Sequence, residues 1–195
     1  EILEAVGATT EEIPFIGELI CVKDDERDWE YSIERILHNF ALRLVVPEKY
    51  YKQVNEYVNG HNLRGRIVYQ RYEGTEPLRE FEDRTLKVDS LLRKVEYKPM
   101  CLYLDWLEDR LFAEFNYSCV DSLADFNHLQ EKAVTKEGLI KARGGKHEKD
   151  DRPEIRGKEH YVLGWDNKEK IAVLQAEARQ LQQEEKMTAA KVRKL

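Results

Sequence analysis

ELICVKDDERDWEYSIERILHNFALRLVVPEKYYKQVNEYVNGHNLRGRIVYQRY, residues Glu18 to Tyr72, is the stretch that decides the fold. Glu18–Val22 is short and apolar with β-branched Ile20 and Val22, and reads as a buried strand. An acidic loop, Lys23–Asp28, follows. From about Asp28 to Phe40, the residues Trp29, Ile33, Ile36, Leu37 and Phe40 fall at i, i+4, i+7, i+8 and i+11, which is one buried face of a helix. Leu42–Val46 reads as a second buried strand. Pro47 suits the first position of the next helix, where its missing N–H costs nothing. That helix carries Tyr50, Tyr51, Val54, Tyr57 and Val58 and is expected to stop at Asn59-Gly60 in a left-handed turn. Gly65–Tyr72 alternates Ile67, Tyr69 and Arg71 against Arg66, Val68 and Gln70, as a strand does. Strand, helix, strand, helix, strand predicts an α/β layer whose strands are joined by helical crossovers.

Upstream, Ile2, Leu3 and Val6 make a short helical piece ending at Gly7. Thr9 and Glu12 have capping-box spacing, but Pro14 and Gly17 leave room for no more than a turn. Downstream, Glu73–Asp83 is a polar loop, and Leu86–Tyr97 suits a helix or a strand. Pro99 is expected to open the most apolar helix, with Leu104, Leu107, Leu111 and Phe115 on one face and Leu102, Trp106 and Ala113 flanking it. Asp121–Leu129 is a shorter helix, and Gly138-Leu139-Ile140 a short strand. A loop dense in both charges runs from Lys141 to Arg152, and Tyr161–Gly164 returns to the core. The expected class is α/β (α+β): a globular domain with a small mixed sheet and flanking helices.

The last thirty residues have a different texture. Read as heptads, Ile171, Ala178, Glu185 and Val192 take the a positions, and Leu174, Leu181, Thr188 and Leu195 the d positions. Ile171, Leu174, Ala178, Leu181, Val192 and Leu195 therefore form a coiled-coil seam, softened for one turn by Glu185 and Thr188. Asp166 stands three residues before Glu169, a helix-starting spacing. The organisation expected is residues 1–12 as the end of an incoming coiled-coil helix, 13–165 as a globular domain and 166–195 as the start of an outgoing one. An ordinary domain with a C-terminal docking helix fits the pattern equally well.

The chain has 195 residues, 36% of them charged, and a net charge of -6, so it is no polycation and any DNA contact is a local patch. Lys141, Arg143 and Lys146 are one candidate patch, and Arg64, Arg66 and Arg71 another. Cys21, Cys101 and Cys119 lack a C-x-x-C spacing and fall in apolar runs, which suits buried free thiols. No H-E-x-x-H, G-x-S-x-G or complete phosphate-loop motif occurs; Gly144-Gly145-Lys146 lacks the first glycine and the following Ser or Thr. Glu30 and Glu34, one helical turn apart, read as a solvated face. No catalytic, cofactor-binding or metal-binding residue is expected.

Several stretches together resemble a known family. Gly17–Val22 with its acidic loop, Trp29-Glu30 with Ile33–Phe40, Leu44–Pro47 followed by Tyr50, and Gly65–Tyr69 resemble the middle of the SMC-like, MukB-like ATPases of Wadjet plasmid-defence systems. That family is called JetC, also MksB or EptC. His147–Arg152 and Tyr161–Asn167 resemble the same proteins where the chain re-enters the coil.

The resemblance implies a hinge that dimerises and joins two coiled-coil arms, with no chemistry of its own. ATP and Mg would act at head domains absent from these residues. Kleisin, KITE and nuclease subunits would be partners, and the site of action would be cytoplasmic, on nucleoid or plasmid DNA. Such hinges pair through sheet edges and glycine-rich turns, which makes Gly138, Leu139, Ile140, Gly144, Gly145, Ile67 and Tyr69 the candidate dimer interface. A DNA-binding module using the local basic patches is the alternative function.

Overall fold

The computed structural model describes residues 1–74, 86–152 and 157–165, together with Ala178, Arg179, Leu181, Gln182 and Met187. In chain order the elements are α1 (Ile2–Val6), β1 (Ile20–Val22), α2 (Glu30–Ala41), β2 (Leu44–Pro47), α3 (Glu48–Gly60), β3 (Tyr69–Tyr72), β4 (Val95–Tyr97), α4 (Leu104–Phe115), β5 (Ser118–Val120), α5 (Leu123–His128), β6 (Ala133–Thr135), β7 (Ile140–Lys141) and β8 (His147–Glu148). They form a mixed α/β domain of small sheets with flanking helices.

The expected single layer is three separate sheets. β2 and β3 pair parallel across α3, one βαβ unit. β1 does not join them. Pro14 and Phe15 approach β2 first, with Val45 N–H donating to Pro14 O and Ile16 N–H to Arg43 O, both at 2.9 Å. A 3-10 turn over Ile16–Leu19 then carries the chain away, and β1 pairs antiparallel with β4. The third sheet runs β5-β6-β7-β8, parallel between β5 and β6 and antiparallel thereafter.

Strand β2 separates two apolar cores. Side chains alternate across a strand, so Leu44 and Val46 face Ile13 and Val54, while Val45 faces the opposite side. That opposite side is the main core, where Trp29, just before α2, joins Ile33, Leu37 and Phe40 of α2, and α4 contributes Leu107 and Leu111. Complete burial of a side chain such as Leu37 or Leu107 is worth about 1.5–3 kcal/mol. α1 packs Ile2, Leu3 and Val6 on the smaller core beside α3.

Several boundaries differ from expectation. Pro47 ends β2 and α3 begins at Glu48. α3 stops through His61 at φ -124°, with no left-handed residue at Gly60. Only Tyr69–Tyr72 of the third expected strand pairs with β2. α4 starts at Leu104 rather than Pro99, because Met100 takes a left-handed φ of 57°; Leu102 is consequently 77% exposed instead of flanking the core. The Thr9–Glu12 pair does form its reciprocal bonds, Thr9 N–H to Glu12 Oε2 at 3.1 Å and Glu12 N–H to Thr9 Oγ1 at 3.3 Å. Lys49, Tyr50 and the Thr9 N–H together hold the Glu12 carboxyl down at about 2.

Candidate dimerisation edges

Among the described residues the outer strands of the three sheets are β1 and β4, β2 and β3, and β5 and β8; the interface candidates fall at the edges of β3 and β8. Leu44 N–H donates to Val68 O, and the parallel alternation then turns the peptide groups of Tyr69 and Arg71 outward. Tyr69 itself is braced by its hydroxyl, which donates to Asn55 Oδ1 at 2.6 Å, and Ile67 is half-buried against the smaller core. On the other sheet, Ala142 N–H donates to Lys146 O at 2.8 Å, so antiparallel alternation leaves the His147 peptide facing away from β7. Gly144 and Gly145, at φ 74° and 76°, form the exposed β7–β8 turn, with no atom within 4 Å of where a Cβ would stand. This hairpin leads into a strand, so Gly144-Gly145-Lys146 lacks the helix N-terminus that a phosphate loop needs.

Of the remaining candidates on this sheet, one is buried and two are half-buried. Gly138 is buried at φ 79°, and a Cβ there would stand 2.7 Å from Tyr31 Cε1. Leu139 packs beside Val120, Phe126 and Ala133, and Ile140 against the main core. For Gly138 this is a correction: the glycine is needed for close contact with α2, and that use conflicts with a role on an outer edge.

The basic candidates divide in the same way. Lys141 is 8% exposed; its Nζ donates to Phe126 O and, at 2.8 Å, to Leu129 O. It therefore satisfies carbonyls at the end of α5 and cannot meet a phosphate. Arg71 is also committed, bound through Nε and a terminal nitrogen to Glu48 at 2.6 and 2.9 Å and to Glu73 at 2.8 Å. Arg64, Arg66 and Arg143 are exposed, and exposed Lys146 pairs with Glu148 at 2.9 Å. Replacing Lys141 by Ala is expected to cost about 1–3 kcal/mol of stability, since two carbonyls lose their donor. Urea unfolding would read that loss; a change only in the salt dependence of duplex binding would contradict it.

The expected solvated face of α2 is instead buried. Glu30 and Glu34 are 9% and 5% exposed. Glu34 accepts from Val162 N–H at 2.9 Å and Leu163 N–H at 3.0 Å, and Glu30 pairs with Arg27 and with Lys158. Ser32 donates to Thr135 O at 2.7 Å and to Lys136 O at 2.9 Å, Arg35 to Gly138 O at 2.9 Å and Tyr31 to Asp150 O at 2.9 Å. Sequence reading missed these side chains because all their partners but Arg27 lie more than a hundred residues downstream. Their one local signal is that Glu30, Ser32, Glu34 and Arg35 crowd on a helix whose other face is apolar.

Of the seam residues, Ala178 and Leu181 are helical and exposed, while Ile171, Leu174, Val192 and Leu195 lie outside the described residues. No group of three or more His, Cys, Asp or Glu able to hold a metal occurs among the described residues. Burial raises the Cys119 thiol to about 12 and pushes those of Cys21 and Cys101 up as well.

No family model matches the chain, and no curated protein matches it. Solved structures do. The Pyrococcus furiosus SMC protein hinge domain superposes with a TM-score of 0.52 at 23% identity, covering 80% of this chain and 78% of that one. This chain has the SMC hinge fold. The Pyrococcus hinge with an extended coiled coil matches at TM-score 0.54 and 24% identity, covering 78% of this chain and 57% of that one. A folded elbow of cohesin matches at TM-score 0.52 and 19% identity, over 76% of this chain. This chain spans only 21% of that cohesin chain.

Proposed function

We propose that this chain is the dimerisation hinge of an SMC-like protein, pairing with a second copy and joining two coiled-coil arms. The observation that carries the reading is the pair of outward strand edges, β3 and β8, on a body with the hinge fold. A strand edge offers unpaired N–H and C=O groups, and a second copy can satisfy them by adding its own strand. The work is mechanical, with ATP and Mg acting at head domains elsewhere in the full protein.

The finer assignment rests on the residue resemblance to the MukB-like JetC family. In that setting the hinge serves a Wadjet-type plasmid-defence complex, acting on cytoplasmic DNA with kleisin, KITE and nuclease subunits. The exposed Arg64, Arg66 and Arg143 are the residues left to touch DNA phosphates.

Light scattering across micromolar concentrations tests the reading. A mass of about twice 23.1 kDa is expected for the wild-type chain. His147→Pro removes an outward N–H while sparing the bonds to β7, and is expected to raise the dimer Kd roughly tenfold or more. A wild-type monomer at high concentration would overturn the hinge assignment. A dimer indifferent to His147→Pro would move the interface off the β8 edge.

A further inference from the structure

The two ends of the described body are fastened by different chemistry. At the N-terminal end, α1 buries apolar side chains against the α3 core. Towards the C-terminus, the strap Gly157–Trp165 rests Leu163 against the main core, pairs Lys158 with Glu30 and is bonded through three main-chain amides. Val162 N–H and Leu163 N–H both donate to the carboxylate of Glu34, at 2.9 and 3.0 Å, and Gly164 N–H donates to Gly17 O at 2.9 Å. Gly17 allows the approach: a Cβ there would stand 2.3 Å from Val162 O.

From this geometry we propose that Glu34 is a latch that holds the strap on α2 and can release it while the rest of the domain stays folded. Two bonds converge on one side chain, so one lost interaction frees both amides. Helix α2 does not depend on the strap for its own position. Trp29, Ile33, Leu37 and Phe40 bury its other face, and Ser32 and Arg35 tie it separately to the β6–β7 turn. In the released arrangement the strap gives up these amide bonds, the Leu163 contact and the Lys158–Glu30 pair, while α2 keeps its own core contacts. Such a segment belongs to the low-stability end of a domain's opening spectrum. The latch rests on the hinge reading only for what loads it: in that reading, movement of an arm pulls on these bonds.

Amide hydrogen exchange on the full 195-residue chain tests the latch through two variants. Glu34→Gln places an NH2 against one of the two strap amides. Gly17→Ala displaces Val162 from the other side without touching Glu34. Both are expected to speed exchange at Val162, Leu163 and Gly164 about tenfold to a hundredfold. Gly138 and the α2 interior should keep their wild-type rates. Strap amides that keep wild-type rates in both variants would overturn the proposal. So would a general rise across the domain in both, which would make Glu34 an ordinary core member, or strap amides already unprotected in the wild type. None of these rates depends on dimerisation, so a monomeric mass removes the hinge reading and leaves the latch to stand or fall by itself.

Discussion

Phe40→Ala is expected to destabilise the domain by about 3–5 kcal/mol, the range for deleting a fully buried aromatic ring. Phe40 is 2% exposed in the last turn of α2, and its ring centroid lies 5.0 Å from that of Phe115 at the end of α4. The Arg43 guanidinium carbon stands 5.2 Å from the same ring. Truncation loses the ring's transfer free energy, removes the aromatic pair and leaves a cavity between α2 and α4. Domains of this size are stable by only about 5–15 kcal/mol, so the variant would sit near unfolding. Urea titration should show a lower midpoint with an unchanged slope. Leu42→Ala, two residues away and 45% exposed, is the control, expected within about 0.5 kcal/mol of wild type. A loss below about 1 kcal/mol for Phe40→Ala would mean that α2 and α4 do not meet through these rings.

The contrast between Phe40 and its neighbours shows what the chain discloses locally. Trp29, Ile33, Leu37 and Phe40 repeat at helical spacing within twelve residues, and the core they form was legible from that period alone. Leu42–Val46 was legible as a buried strand from its apolar run, though the strand begins at Leu44 and Leu42 is exposed. Strands of three residues carry no measurable period. β5 and β6 therefore escaped notice although Ser118, Cys119, Val120, Ala133, Val134 and Thr135 are all buried. The partner of β1 was illegible too. Nothing in Ile20–Val22 distinguishes a neighbour at Leu44 from one at Val95, and the choice is made by the 3-10 turn at Ile16–Leu19.

Polar residues were read less well than apolar ones, for a related reason. Polarity in a helical window implies water only when no other segment arrives to cover it. Glu34 and Arg35 are covered by main chain from Val162 and Gly138, so their charge is spent on backbone groups instead of solvent. Lys141 follows the same rule at the end of α5. The candidate edges were read in part: of Gly65–Tyr72 only Tyr69–Tyr72 is strand, and Lys141–Arg152, expected as a loop, carries the β7–β8 hairpin with Gly144-Gly145 at its turn. What sequence could not supply was the direction in which each peptide faces.

Gly138→Ala is the second large effect, expected to cost about 2–4 kcal/mol. Two penalties combine at this position. At φ 79° the backbone is left-handed, which any Cβ strains by about 1–2 kcal/mol. The added Cβ would also stand 2.7 Å from Tyr31 Cε1 and 3.4 Å from an Arg35 terminal nitrogen. Neither neighbour yields easily. Tyr31 donates its hydroxyl to Asp150 O at 2.9 Å, and Arg35 donates to Gly138 O at 2.9 Å and to Asp150 O at 3.3 Å. Moving either would disturb the seating of the β6–β7 turn on α2. Denaturant unfolding of monomer and dimer alike should register the loss, because the cost arises within one chain. A glycine that served instead as a backbone contact between copies would leave the stability of the dilute monomer unchanged and weaken only self-association. The two variants thus separate interior from edge: Gly138→Ala acts on folding at every concentration, and His147→Pro acts on mass alone.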